Sequence, residues 1–205
     1  MLLQRNGKSL EVDANISLHY QKRVMLMDSE YAFICDNSPS MSEDVSAEYA
    51  KLEIPQMPFA IQTYKGSSSR TWNLSDIKLI SRTFKEATMN NKSLWMLRSW
   101  TKGEFGNTSA DLGRPLGMPP KVLSFTAYSS HIPGDDHSYR IYRIPVVINS
   151  LNIDYPNDVD YIPDEHGNMI PIIQTITLSI TEQHSPSELS NFSLDRFKMG
   201  KMLNF

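Results

Sequence analysis

The chain has 205 residues, of which 40% are hydrophobic and 21% charged, with a formal net charge of -3. A chain of this length buries roughly 70% of its unfolded surface, so it needs no metal or disulfide staple, and its balance excludes a disordered polymer. Twenty basic against 23 acidic residues disfavour a dedicated duplex-binding protein, and the single cysteine, Cys35, excludes an intramolecular disulfide framework and a multi-cysteine zinc knuckle.

The N-terminal residues carry no apolar h-region of signal-peptide type. No run approaches the ~20 apolar residues that cross a bilayer, so a non-exported chain without a membrane segment is expected. Residues 16–20 alternate as a half-buried strand does. Residues 24–27 and 31–35 are short apolar runs around an Asp28-Ser29-Glu30 turn, and residues 38–44 read as polar linker. Two readings of residues 1–57 stand open: a hairpin plus loop, or an arm that pairs with a neighbouring subunit.

The core domain is placed at residues 58–184. Residues 59–64 form a candidate strand, 65–69 a turn and 70–81 a second strand. In that second strand Trp72 and Leu74 share one face whereas Ile77 and Leu79 share the other, so a bulge is predicted near Ser75-Asp76. The Gly66-Ser67-Ser68-Ser69-Arg70 stretch lacks the ending of a P-loop. From residue 84 to 100 the period changes to that of a helix about 25 Å long, with Phe84, Ala87, Asn91, Leu94 and Leu97 as its core stripe. Trp72, Trp95 and Trp100 all fall on positions that read as core. Residues 103–120, rich in Gly and Pro, read as a long interface-type loop.

The last third reads as β structure: strands at 122–128, 141–155 and 172–182. Pro145 removes a ladder donor, which favours a bulge or an edge there. In the last strand Ile176, Leu178 and Ile180 point one way, whereas Thr175, Thr177, Ser179 and Thr181 form a polar face suited to a channel or a partner sheet. Residues 185–205 form a tail with a weak helical pattern of Phe192, Leu194, Phe197 and Met202.

No catalytic set emerges. The histidines, His19, His131, His137, His166 and His184, form no ligand pair at helical spacing. Asp135-Asp136-His137 is the most metal-like cluster but sits in a turn sequence. Asp154, Asp158, Asp160 and Asp164 lack EF-hand spacing and read as a solvated loop. Cys35 lies in an apolar run, as a buried thiol does. No enzyme activity, cofactor or metal is therefore expected. The arginines are dispersed, and Leu97-Arg98-Ser99-Trp100 brings a guanidinium and an indole together in sequence, within the fold or across an interface.

Ser81-Arg82-Thr83, Glu86-Ala87, Asn90 or Asn91 and Leu97-Arg98-Ser99-Trp100 resemble the strand-to-helix segment of baseplate tube proteins from contractile-tailed bacteriophages. A longer run, from Ile144-Pro145-Val146-Val147 to Asp158-Val159-Asp160-Tyr161-Ile162-Pro163, is similar to the same family, as are residues 176–182, Ser185-Pro186 and Phe192. The similarity covers residues 58–200. It implies a mainly β fold of the tail-tube type, an antiparallel sandwich or barrel with one flanking helix. It further implies a structural subunit of the baseplate central tube in the virion, assembled in the host cytoplasm. Six copies would form a ring between the hub and the tail tube, initiating or capping tube growth and passing genomic DNA without binding it specifically. The implied partners are the chain itself, the hub, adjacent tube-ring proteins and the tape-measure protein, with no membrane. Within that frame Arg98, Trp100, Arg143 and Arg196 are candidate subunit-interface residues, and Thr175, Thr177, Ser179 and Thr181 candidate lumen-lining residues. The alternative is a carbohydrate-binding or hydrolytic β-sandwich module of the virion, which calls for a solvent-facing aromatic platform or two facing carboxylates.

Overall fold

A computed structural model describes residues 2–4 (backbone), 24–103, 117–128 and 141–202. The expected strand at 16–20, most of the 103–120 loop and the Asp135-Asp136-His137 cluster lie outside the described residues, as do His19, His131, Arg114 and Arg140.

The chain is mainly β. In order, the strands are β1 (Leu2–Gln4), β2 (Met25–Met27), β3 (Tyr31–Ile34), β4 (Ser40–Asp44), β5 (Ala47–Leu52), β6 (Ile61–Ser67) and β7 (Thr71–Ile80). Helix α1 (Phe84–Trp100) follows, then β8 (Leu123–Ala127), β9 (Ile141–Asp154), β10 (Tyr161–Pro163), β11 (Met169–Pro171) and β12 (Ile173–Glu182). Two short helices, α2 (Pro186–Ser190) and α3 (Leu194–Lys198), close the chain. Eight strands form one antiparallel sheet in the order β1-β3-β2-β8-β9-β12-β7-β4, and β5-β6 and β10-β11 are separate two-stranded ribbons.

The sheet is strongly curled. Strands β3 and β4 lie six positions apart in it, about 29 Å if the sheet were flat. Residues 35–39 join them, and the span from Ile34 to Ser40 reaches at most about 20 Å. Two contacts across the curl agree. The rings of Trp72 on β7 and Phe125 on β8 lie 5.3 Å apart, although β12 and β9 separate those strands. Tyr128 Oη, just after β8, donates to the Pro39 carbonyl just before β4, at 2.8 Å. A single sheet thus folds round on its own apolar face into an open barrel, where the sequence left a sandwich and a barrel as alternatives.

The predicted bulge is present. Ile176 pairs with Ile77 and Leu178 with Leu74, so two residues of β7, Ser75 and Asp76, face one of β12. Asp76 takes a positive φ of 59°. The Asn37 carboxamide secures it, donating to the Asp76 carbonyl and accepting from Lys78 N–H. The extra residue returns the apolar side chains to one face, so Trp72, Leu74, Ile77 and Leu79 are all buried. Strand β9 bulges twice: at Asn149 against β12, and at Tyr142–Arg143 against β8, where Arg143 has a φ of 52°. Pro145 sits in this central strand without harm. Its carbonyl accepts from Gln183 N–H beyond the end of β12, and N–H and C=O of a strand residue point the same way. The missing donor therefore faces the end of the ladder.

Helix α1 lies on the apolar face, with Leu94, Leu97 and Trp100 in the same buried cluster as Trp72, Phe125 and Ile176. Its N-terminus is capped by Thr83, whose side chain accepts from Glu86 N–H. Of the expected stripe, Ala87, Leu94 and Leu97 are buried, Asn91 is half-buried and Phe84 is exposed. The helix also buries the polar Thr88, Asn90 and Ser93. Those residues meet backbone, not core. Asn90 donates to the Ile80 carbonyl, and Thr88 Oγ1 accepts from Glu165 N–H in the β10–β11 turn.

Three further expectations are corrected. Residues 38–44 are not linker but include β4, an edge strand whose exposure leaves it polar. The division at residue 57/58 does not hold, because β2, β3 and β4 belong to the same sheet as β7 and supply Leu26 and Phe33 to its core. Residues 65–67 are not turn but strand, since Gly66 pairs with Glu48, and no phosphate-cradling loop exists there.

Asp28 ties the helix end to the sheet. Its side chain is 2% exposed. Oδ1 accepts from Glu30 and Tyr31 N–H, and Oδ2 from Trp100 Nε1 at 3.1 Å and Lys121 Nζ at 3.1 Å. Burial pushes its pKa up, but the backbone donors, Lys121 and Trp100 together outweigh burial and hold it below the usual carboxylate value. A depressed folded-state pKa contributes stability that is complete above the unfolded value of about 3.9 and is lost as pH falls through the folded one. Asp28→Asn is therefore expected to lower stability at neutral pH by about 1–3 kcal/mol and to flatten the acid limb of a stability–pH curve from urea melts. Leu94→Ala is expected to cost about 2–5 kcal/mol through a cavity, whereas Phe84→Ala stays within about 0.5 kcal/mol, both read by the same melts.

Candidate functional site: a polar sheet face, an arm and a groove

Strand β12 alternates without a break because the extra residues are in its neighbours. Ile176, Leu178 and Ile180 are buried, and Thr175, Thr177, Ser179 and Thr181 point to the opposite face. Pairing extends that polar face sideways. Thr175 lies between Lys78 and Asp154, and Thr177 beside Asn152. Ser179 lies between Asn73 and Ser150, with Ser42 beyond Asn73; Thr181 is flanked by Thr71, with Asp44 beyond. Side chains bridge the strands: Thr71 and Thr181 hydroxyls are 2.9 Å apart, Asn73 Nδ2 donates to Asp44 at 2.9 Å, and Asn149 Nδ2 donates to Thr181 Oγ1. The charged groups on these paired strands' polar side are Asp44, Asp76, Lys78 and Asp154, all exposed. Around the Thr175–Thr181 row the face is thus hydroxyl- and amide-rich and slightly acidic, with Val147 and Ile80 at its margins; the exposed Arg143 lies further along β9, where that strand pairs with β8.

The candidate interface residues separate. Trp100 is 2% exposed and belongs to its own core, which removes it from any subunit surface. Arg98 does not stack on Trp100, two residues away and round the helix, but on Trp95 at i−3. Its Cζ lies 4.8 Å from the Trp95 ring centroid, and Nη2 donates to Tyr155 Oη at 2.6 Å. Arg143 and Arg196 are exposed, Arg143 at its bulge over the Tyr142 ring and Arg196 in α3.

Trp95 is the residue the sequence misplaces. It is 63% exposed. Together with Tyr155, Tyr161 and Met169 it borders a groove of about 500 Å³ between α1 and the β10–β11 ribbon. Gln174 forms part of that lining, with its Oε1 buried and without a hydrogen-bond partner, a state that costs about 1–3 kcal/mol unless a donor arrives. The ribbon is fixed by Asp164, which is buried rather than solvated as its loop suggested. Its carboxylate accepts from the side chain and backbone of Asn168 and from His166 N–H. The Asn168 side-chain bond leads the backbone bonds in holding its pKa low against partial desolvation.

The third feature is an arm. Strands β5 and β6 continue β4 and β7 past the end of the sheet, through the Ser46–Ser68 backbone bond. Their tip is a turn closed by Met57 N–H on the Ile54 carbonyl, with Pro55 and then Gln56 at a φ of 70°, the pattern of a type II turn. Tyr49, Leu52, Met57, Phe59 and Tyr64 are all exposed, Phe59 at 83%.

At the arm's root Arg70 clasps Glu182 through two bonds, Nε–Oε2 at 2.8 Å and Nη2–Oε1 at 2.9 Å. The Glu182 side chain is fully buried, and Arg70 also lies over Trp72. Cys35 is buried, as expected. Among the described residues no helix is long and apolar enough to cross a membrane. No protein-family model matches the chain, and a search of curated proteins returns no similar sequence. Removing one partner of a buried bidentate pair strands the other charge, so Glu182→Ala is expected to cost about 3–5 kcal/mol in a denaturant titration.

Proposed function

We propose that this chain is a structural subunit of the central tube in a contractile phage-tail baseplate. Six copies form a ring between hub and tail tube that starts or caps tube growth, and the ring lines the DNA channel. The observation that supports this most is the polar face across β4, β7, β12 and β9, which no described element covers, on a sheet whose other side carries the core and α1. The similarity of residues 58–200 to baseplate tube proteins supplies the ring and its six-fold order.

A conduit must let a duplex slide. Duplex binding grows with each lysine or arginine that displaces condensed counterions from a phosphate. Hydroxyls, amides and carboxylates offer no such contact, Lys78 beside Thr175 is outnumbered by Asp44, Asp76 and Asp154, and the net like charge keeps the phosphates off the wall. The same side chains satisfy one another across strands, which keeps the wall smooth and short of free donors. In this arrangement Thr175, Thr177, Ser179 and Thr181 face the lumen, and α1 faces outward.

One observation favours a second reading. Trp95, with Tyr155 and Tyr161 nearby, is the solvent-facing aromatic cluster that a carbohydrate-binding module requires. Arg98 covers one face of that indole, which reduces the platform a sugar ring would use.

A particle reconstruction of the assembled layer is expected to show six-fold rotational order with β12 on the channel wall; any other order overturns the ring. In a duplex-binding titration the assembled wild type is expected to bind weakly with a shallow salt slope. Thr177→Arg is expected to steepen that slope by about 0.9 for each phosphate newly contacted. Tight, salt-sensitive binding by the wild type would mean that the channel grips DNA.

A further inference from the structure

Among the described residues the arm and the groove are two uncovered apolar surfaces of one chain. A two-stranded ribbon alone is marginally stable in water, and this one exposes Tyr49, Leu52, Met57, Phe59 and Tyr64. Such a patch marks a contact surface. The arm's own groove is out of its reach. The arm leaves the sheet where β7 begins, at Thr71 beside Thr181, and continues the strands outward from there. The groove opens at the other end of the same strands, beside Gln174, roughly 24 Å back along β12.

We propose that the arm of one copy seats its tip in the α1/β10–β11 groove of the next copy. The apolar parts correspond: Met57 and Phe59 at the tip, Trp95, Tyr161 and Met169 around the groove. The charges correspond too. Glu53 is the charged residue at the tip. Among the described residues, the charged ones lining the groove and its continuation toward Leu151 are Arg98 and Lys102, without a carboxylate. Gln174 Oε1 is an acceptor in the groove lacking a donor, and Gln56 at the apex of the arm carries an amide that can donate. Because tip and groove are different surfaces at opposite ends of the sheet, the contact is heterologous, the kind that closes into a ring when its rotation permits. The inference rests on the ring proposed above and names the surface that closes it.

Cross-linking tests it. One batch of the chain carries Phe59→Cys and another Met169→Cys, the buried Cys35 being left in place. After mild oxidation the mixed batches are expected to yield a disulfide-linked dimer that neither batch yields alone. Phe59→Cys mixed with Lys198→Cys is the control. No product above that control overturns the arm contact, even where six-fold rings form. Product formed in particles of another rotational order upholds the arm contact and overturns the six-fold ring. In sedimentation, Met57→Ser with Phe59→Ser, and separately Trp95→Ala, are expected to weaken self-association at least tenfold while the circular dichroism of the chain is kept. Unchanged association in both variants overturns the proposal. So does binding of neutral oligosaccharides that Trp95→Ala abolishes and the tip variant leaves intact, because the groove would then be a sugar site.

Discussion

Five residues, 35–39, carry the chain from the second strand of the sheet to the eighth, and no flat sheet allows that. The curl they impose decides what lies inside. It brings Trp72 against Phe125 across two intervening strands and leaves an open apolar face that Leu94, Leu97 and Trp100 of the helix cover. A curled sheet with one face so filled has a single face left to offer its surroundings, and that face is the polar one. The fold and the proposed wall are therefore two sides of one constraint.

What keeps the two sides apart is phase. Side chains in a strand alternate with period two, so one slipped residue would exchange the core and the polar face. Strands β7 and β9 each absorb an extra residue beside β12, at Asp76 and Asn149, and the alternation of β12 passes between them undisturbed. Two buried carboxylates anchor the margins of this arrangement. Asp28 gathers donors from the β2–β3 turn, the helix end and Lys121, and Glu182 holds Arg70 where the arm begins.

The sequence displays those elements whose burial is one-sided. The slip between Leu74 and Ile77 announces the bulge, the Thr/Ile alternation announces β12, and the period change announces α1, because in each case a core demands apolar residues at fixed spacing. Strands β5 and β6 answer to no core and β4 touches it only through Met41, so little forces alternation on them, and a strand such as 61–67 reads partly as turn. The short ribbon β10–β11 is set by the Asp164 side chain and by Thr88, contacts between residues far apart in sequence that no local pattern encodes. Trp95 and Trp100 show the same limit at the site. Both are tryptophans on one helix, five residues and so about 140° apart round it; one closes the core and the other borders the groove, and a stripe drawn through Phe84 and Asn91 sets the buried face too near Trp95. The signal available for the arm was Pro55 and Pro58 between two polar stretches, a turn with strands on either side.

The arm is also a ruler. It leaves the barrel as a plain two-stranded ladder, fastened at Ser46–Ser68 and by the Arg70–Glu182 clasp, and none of its residues enters the core cluster. Adding or removing two residues in each of its strands would shift the tip by about 7 Å and return every side chain to the face it had before. Lineages that needed a longer or shorter reach could change it in such steps without repacking the barrel, whereas a change of one residue per strand would turn Phe59 away from whatever it meets.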